Sequence, residues 1–72
     1  MIKMRIGIAG YGVVGKRRRQ YIDARDDMEV VAVCDRTFED GGTLDGVIAR
    51  HQTYDQLLRE NLDVLFVCLT ND

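Results

Sequence analysis

Seventy-two residues suit one small domain, which at that length buries only about 60% of the surface its unfolded chain exposes. A hydrophobic content of 46% beside 31% charged residues excludes a disordered chain, and a formal net charge of -2 gives no overall electrostatic case for nucleic acid. No apolar run approaches the roughly 20 residues that span a bilayer, and the opening MIKMRIGIAG lacks a signal-peptide pattern, so a cytoplasmic, reducing setting with no membrane partner is expected.

Met4 to Ala9 is a short run, apolar except for Arg5, that leads into glycine, as expected of a strand buried on both faces of a parallel sheet. From Val13 to about Asp27 there is no proline and, after Gly15, no glycine, while Val14, Tyr21, Ile22 and Ala24 supply a partial apolar stripe. That segment predicts a helix. Glu29 opens EVVAVCD, a β-branched run closed by a carboxylate, which predicts a second buried strand and hence a right-handed strand-helix-strand unit. The pattern then weakens. Gly41, Gly42 and Gly46 fall where a second covering helix would stand, so a loop with at most a short helix is expected, followed by a poor strand around Val47 to Ala49. Tyr54 to Glu60 predicts two helical turns, with Thr53 as N-cap and Leu57 and Leu58 toward the sheet. Leu62 to Thr70, LDVLFVCLT, is the strongest strand pattern of all.

This alternation predicts an α/β fold, a partial Rossmann fold with a four-stranded parallel sheet in the order 3-2-1-4. Cys34 on the second strand and Cys68 on the fourth would then stand about 9.6 Å apart, at about 4.8 Å per strand. A disulfide needs Cα atoms within about 7 Å, so two free, mostly buried thiols are expected. No metal site is expected either, because His51, the single histidine, has no ligand spacing around it and reads as a surface or loop residue.

Gly10, Gly12 and Gly15 are spaced G-x-G-x-x-G. The spacing alone is a weak signal, but here it follows a predicted strand, opens a predicted helix, and precedes Asp35 by twenty residues counted from Gly15. Each glycine has a mechanical role. Gly10 permits the tight turn, Gly12 lets a pyrophosphate approach the backbone, and Gly15 lets the helix pack closely on the sheet. The turn Gly10, Tyr11, Gly12, Val13, Val14 and Gly15 is therefore the candidate diphosphate site, served by the helix's first N–H groups and its positive dipole end. Asp35 can accept both ribose hydroxyls of an adenosine and would repel a 2′-phosphate, which favours NAD over NADP. The alternative is a solvated strand-end carboxylate. Arg36 could meet a 2′-phosphate, but beside Asp35 stacking on adenine is the better assignment. Lys16, Arg17, Arg18 and Arg19 cannot form one patch, since a helix spreads four consecutive residues around its circumference. They read as a solvated face, with one or two stems snorkelling near the sheet and at most Lys16 or Arg17 adding positive potential near the diphosphate. Asp23, Asp26 and Asp27 follow the helix's polar face and suggest no site.

Taken together, RIGIAGYGVVGK, EVVAVCDR, YDQLL and DVLFVCLTND resemble the oxidoreductases typified by glucose-fructose oxidoreductase and inositol dehydrogenase, the Gfo/Idh/MocA type. The resemblance runs the whole chain. It implies that residues 1–72 are the N-terminal part of a dinucleotide-binding domain, with the catalytic and substrate domain absent. It also implies hydride transfer between NAD(P) and a hydroxyl of a sugar, cyclitol or nucleotide sugar. In that family the fourth strand's exit reads Thr-Pro-Asn or similar and lies beside the cofactor, which assigns Thr70 and Asn71 as contacts. Here Thr70-Asn71-Asp72 lacks the proline, and the glycine-rich segment after Asp35 is shorter than the family's second helix. The family's catalytic Glu-Lys-Pro segment has no counterpart, so no catalytic residue is assigned. A non-catalytic NAD-sensing regulatory module would use the same glycines and Asp35, and a homoserine-dehydrogenase-like enzyme shares GYGVVG. The last predicted strand has an unpartnered outer edge, so a homo-oligomer formed through it is expected.

Overall fold

Seven elements follow one another in the protein, seen in a computed structural model that describes residues 3–36, 38, 42–44 and 46–68. They are β1 (Met4–Ala9), α1 (Val13–Asp23), β2 (Met28–Cys34), β3 (Thr43–Leu44), β4 (Ile48–His51), α2 (Tyr54–Leu58) and β5 (Val64–Val67). One sheet holds all five strands in the order β3-β4-β2-β1-β5. The β1–β2, β1–β5 and β2–β4 pairs are parallel, giving a partial Rossmann-like α/β fold. The expected order 3-2-1-4 is present as β4-β2-β1-β5, but the sheet is neither four-stranded nor wholly parallel. β3 adds an antiparallel edge to β4 through a tight turn, closed by Val47 N donating to Leu44 O at 3.3 Å, in which Gly46 takes φ +80°. That φ is open to glycine and costly for other residues.

The register of β1 on β2 shifts once. Ile6 pairs with Val30 and Gly7 with Ala32, so β2 carries one extra residue and Ala9 ends opposite Cys34. Asp35, next after Cys34, is thus level with the turn that follows β1.

Each face of the sheet has its own core. On the α1 face, Ile6, Ile8, Val30, Val33 and Ile48 pack with Ile22 of the helix. On the α2 face the buried residues are smaller, Ala9, Ala32 and Cys34, with Leu57 of the helix set among them. Gly7 belongs to the same logic, since a Cβ there would meet Leu62 Cδ1 at 2.5 Å. Small residues let a five-residue helix and the segment after it lie close to the strands, and a fully buried leucine or isoleucine contributes roughly 1.5–3 kcal/mol.

Both helices are shorter than the sequence predicts. α1 stops at Asp23 rather than near Asp27, and its C-cap residue Ala24 donates to Gln20 O at 3.3 Å. Two further aspartates, Asp26 and Asp27, would crowd the negative end of the helix dipole, and the chain instead turns so that Met4 N donates to Asp27 O at 2.9 Å. Of the expected apolar stripe of α1, Ile22 is buried and the rest is not. Val14 and Tyr21 are 48% and 66% exposed, Ala24 is exposed, and Gly15 and Ile22 face the sheet with arginines between them. Arg18 fills that gap with its guanidinium 5.4 Å from the centre of the Phe66 ring, and Arg19 is half-buried. In α2 the expected Thr53 cap is present, but the two leucines part company: Leu57 is 0% exposed and Leu58 60%. A helix this short turns one residue of a consecutive pair inward and the other away. Cys34 and Cys68 are free thiols, the first buried and the second half-buried. Among the described residues no helix is long and apolar enough to cross a membrane.

Candidate functional site

The glycine turn joins the C-terminal end of β1 to α1, next to the end of β2. Gly10 leaves the strand with φ +91°, a conformation that disfavours any side chain, and its N–H donates to Cys34 O at 2.7 Å. The next main-chain N–H, that of Tyr11, donates to the Asp35 carboxylate, with N to Oδ2 at 2.9 Å. Turn and acid, twenty-four residues apart in sequence, are therefore in direct contact.

Gly12 and Gly15 are glycines for different reasons. A Cβ on Gly15 would collide with the Gly10 carbonyl oxygen and lie 3.4 Å from Ile8 Cγ2, so the helix can sit against the turn only without a side chain at this position. A Cβ on Gly12 would meet nothing within 4 Å. Packing inside the chain therefore gives no reason for glycine there, whereas close approach of a ligand from outside does. Gly12 is also the N-cap of α1. It makes no side-chain cap bond, and the first turn holds no acidic residue, so no side chain of that turn competes for its N–H groups.

Val13 and Val14 are exposed on that first turn, and Arg36 is exposed directly after Asp35. Lys16 and Arg17 are exposed as well. Thr70 and Asn71, expected as contacts at the exit of β5, lie outside the described residues. The structure thus brings the Gly10–Gly15 turn, the start of α1 and Asp35 together, with Arg36 exposed next to Asp35 in the chain.

Three neighbours of this site carry no motif. The Tyr11 ring lies 6.2 Å from that of Phe38, tilted by 45°, and its hydroxyl accepts a hydrogen bond from Arg19 Nη1 at 3.0 Å. Arg50 of β4 places its guanidinium 5.5 Å from the Phe38 ring centre. Alternation with the buried Ile48 puts Arg50 on the same face, a signal present in the sequence; Phe38, in a stretch of sequence without periodicity, offers none.

His51 departs from its reading as a surface or loop residue. It ends β4, is half-buried, and its Nε2 lies 2.9 Å from Glu60 Oε1, an acid the sequence did not single out. Cys34 pairs in register with His51, but burial pushes its thiol above the ordinary range and the neighbouring Asp35 charge adds to the effect. A buried thiol held protonated is a core residue rather than a nucleophile. Among the described residues no three His, Cys, Asp or Glu side chains group to hold a metal ion.

Comparison with known proteins returns relatives over part of the chain. A 37-residue stretch, 51% of this chain, is 49% identical to glyceraldehyde-3-phosphate dehydrogenase 1 of Methanosarcina acetivorans. A 33-residue stretch is 46% identical to the glyceraldehyde-3-phosphate dehydrogenase of Methanosarcina mazei. The matched stretches are 11% and 10% of those proteins, so the chain spans about a tenth of the length of the curated relatives it matches. No family model and no solved structure gives a significant match. Both relatives are oxidoreductases by name, and neither carries a name of the Gfo/Idh/MocA type. The matches therefore support the coarser relationship, to dehydrogenases, and not that finer resemblance.

Proposed function

We propose that this chain is the N-terminal, NAD-binding part of an oxidoreductase, holding the adenosine and diphosphate half of the cofactor between the glycine turn and Asp35. One observation carries the reading: the Asp35 carboxylate stands 2.9 Å from the N–H of Tyr11, beside a Gly12 whose missing side chain has no internal explanation.

In this reading Gly12 lets the diphosphate reach the main chain, and the first-turn N–H groups of α1 donate to it. Gly15 keeps the helix against the turn so that those groups stay aimed. Asp35 accepts the ribose hydroxyls and repels a 2′-phosphate, while Arg36 stacks on the adenine. Thr70 and Asn71 remain proposed contacts beyond β5. When bound, NAD supplies the hydride acceptor or donor. No described residue is assigned a catalytic role, and the second reactant is met elsewhere in the enzyme.

The second reactant has two finer readings. The dehydrogenase matches favour a phosphorylated aldehyde, whereas YDQLL and DVLFVCLTND favour a sugar or cyclitol hydroxyl. The matches rest on aligned identity rather than short motifs, and so weigh more. Self-association through the outer edge of β5, which pairs with β1 on its other side, belongs to the same proposal.

Calorimetric titration with NAD and NADP tests the site. NAD is expected to bind saturably and more tightly than NADP, and Asp35→Ser to erode that preference by about tenfold, equivalent to about 1.4 kcal/mol. Absence of saturable binding near millimolar NAD, or an unchanged preference in Asp35→Ser, would overturn the reading.

A further inference from the structure

We infer that the outward face of α1 is a self-association surface, through which two copies of the chain pair helix against helix, antiparallel about a twofold axis near Gln20. This contact is independent of the NAD-binding reading and separate from the β5 edge. α1 is inverted relative to an ordinary surface helix. Its sheet side offers only Gly15 and Ile22 as buried residues, while Val13, Val14 and Tyr21 are exposed. Val13, Arg17, Gln20 and Ala24, all exposed, recur at spacings of four, three and four, so they line one outward ridge, with Lys16 and Tyr21 on its flanks. Apolar residues grouped on an outward helix face mark a contact surface.

Charge decides what covers the ridge. Lys16, Arg17, Arg18 and Arg19 stand in the first half of the helix, and Asp23, Asp26 and Asp27 at and just past its end. Arg19 is bound to Asp23 at 3.3 Å and Arg25 to Asp27 at 2.9 Å, and Arg18 lies over Phe66. Lys16, Arg17 and Asp26 are all exposed and have no ion-pair partner among the described residues. A second copy laid antiparallel on the ridge supplies those partners, since the twofold axis sets Lys16 and Arg17 of each copy against the Asp23 to Asp27 end of the other. Helical side chains lean toward the N-terminus, so Lys16 and Arg17 reach away from the axis and toward that acidic end. Tyr21, next to the axis, is covered in the same contact. Parallel pairing would set like charge on like. α1 holds 11 residues, too few to bury the roughly 1,200–2,000 Å² of a stable complex, so the dimer is weak and depends on salt.

Sedimentation of the whole chain over a concentration series, at low and at high salt, tests the contact. Wild type should associate with a dissociation constant of about 10–100 μM at low salt, weakened about tenfold near 0.5 M salt. Arg17→Glu and Asp26→Arg should each weaken association by about tenfold or more, because a reversal acts at both symmetric positions. Combining the two in one chain exchanges the signs across the axis, and should return the dissociation constant to within about threefold of wild type. Asp55→Arg, at an exposed acid of α2 on the other side of the sheet, should change nothing. The β5 edge holds none of the charges reversed in α1 and the turn after it. A dissociation constant unchanged in either single variant, or still weak when both reversals share one chain, would therefore overturn the contact. So would a wild-type chain that stays monomeric at millimolar concentration.

Discussion

The two helices of this fold begin in opposite ways. At the start of α2, Thr53 accepts from Gln56 N at 3.3 Å and Gln56 Oε1 accepts from Thr53 N at 3.2 Å, a reciprocal capping box that satisfies the helix end from within. At the start of α1, the cap residue is Gly12, with no side-chain bond and no acid in the first turn. Both helices follow a parallel strand and lead into another, so the contrast is not one of topology. It separates a helix end that closes on itself from one whose donors are left to water or to an anion from outside. The helix beside the glycine turn is the open one.

Substitutions can break that contrast or sharpen it. The largest effect is expected where α2 meets the sheet. Leu57→Ala empties a fully buried site and should cost about 2–5 kcal/mol in denaturant unfolding, whereas Leu58→Ala, on the exposed side, should fall within about 0.5 kcal/mol of wild type. Equal effects would mean that α2 is docked differently. Gly15→Ala should come next, at about 1–3 kcal/mol, because its Cβ meets the main-chain oxygen of Gly10 and the helix itself must shift. Thr53→Ala, which opens the closed helix end, should cost about 1 kcal/mol. The smallest effect belongs to the connection between α1 and β2. The hydrogen bond from Arg25 holds the exposed Asp27 carboxyl below the ordinary carboxylate range. Its folded form therefore favours ionisation, so its contribution is present above the ordinary carboxylate value and is lost as pH falls through the depressed one. Asp27→Asn should be slightly less stable than wild type at neutral pH, with the difference vanishing in strong acid; a difference that persists there would assign the effect to something other than charge.

Both helix ends are legible in the sequence, the open one from its glycines and the closed one from Thr53. Gly10 and Gly15 each answer a local backbone or packing demand that only glycine meets, and the spacing of Asp35 from them carries through to contact with the turn. Thr53 likewise carries through to contact, its role depending on the three residues after it. What failed was orientation and pairing. Val14 and Tyr21 looked like a buried stripe, but arginine stems take that place on α1, because Arg18 can cover Phe66 while its charge stays at the surface. β3 is not legible from periodicity because two residues hold no period, although Asp45-Gly46 before an apolar run is a hairpin signal. The pairing of His51 is not legible in the sequence because its partner, Glu60, lies across a helix, a distance that periodicity does not register.

Gly12→Ser decides the central claim most directly, because it gives α1 the side-chain cap that α2 already has. The substitution fits the extended backbone of Gly12, with φ −86° and ψ −153°, and its Cβ enters open space. Stability should therefore hold or rise by a few tenths of a kcal/mol. NAD affinity, measured by titration on the same preparation, should fall by about tenfold or more, since the new side chain occupies the approach to the N–H groups. A Gly12→Ser chain that keeps wild-type NAD affinity would contradict the account.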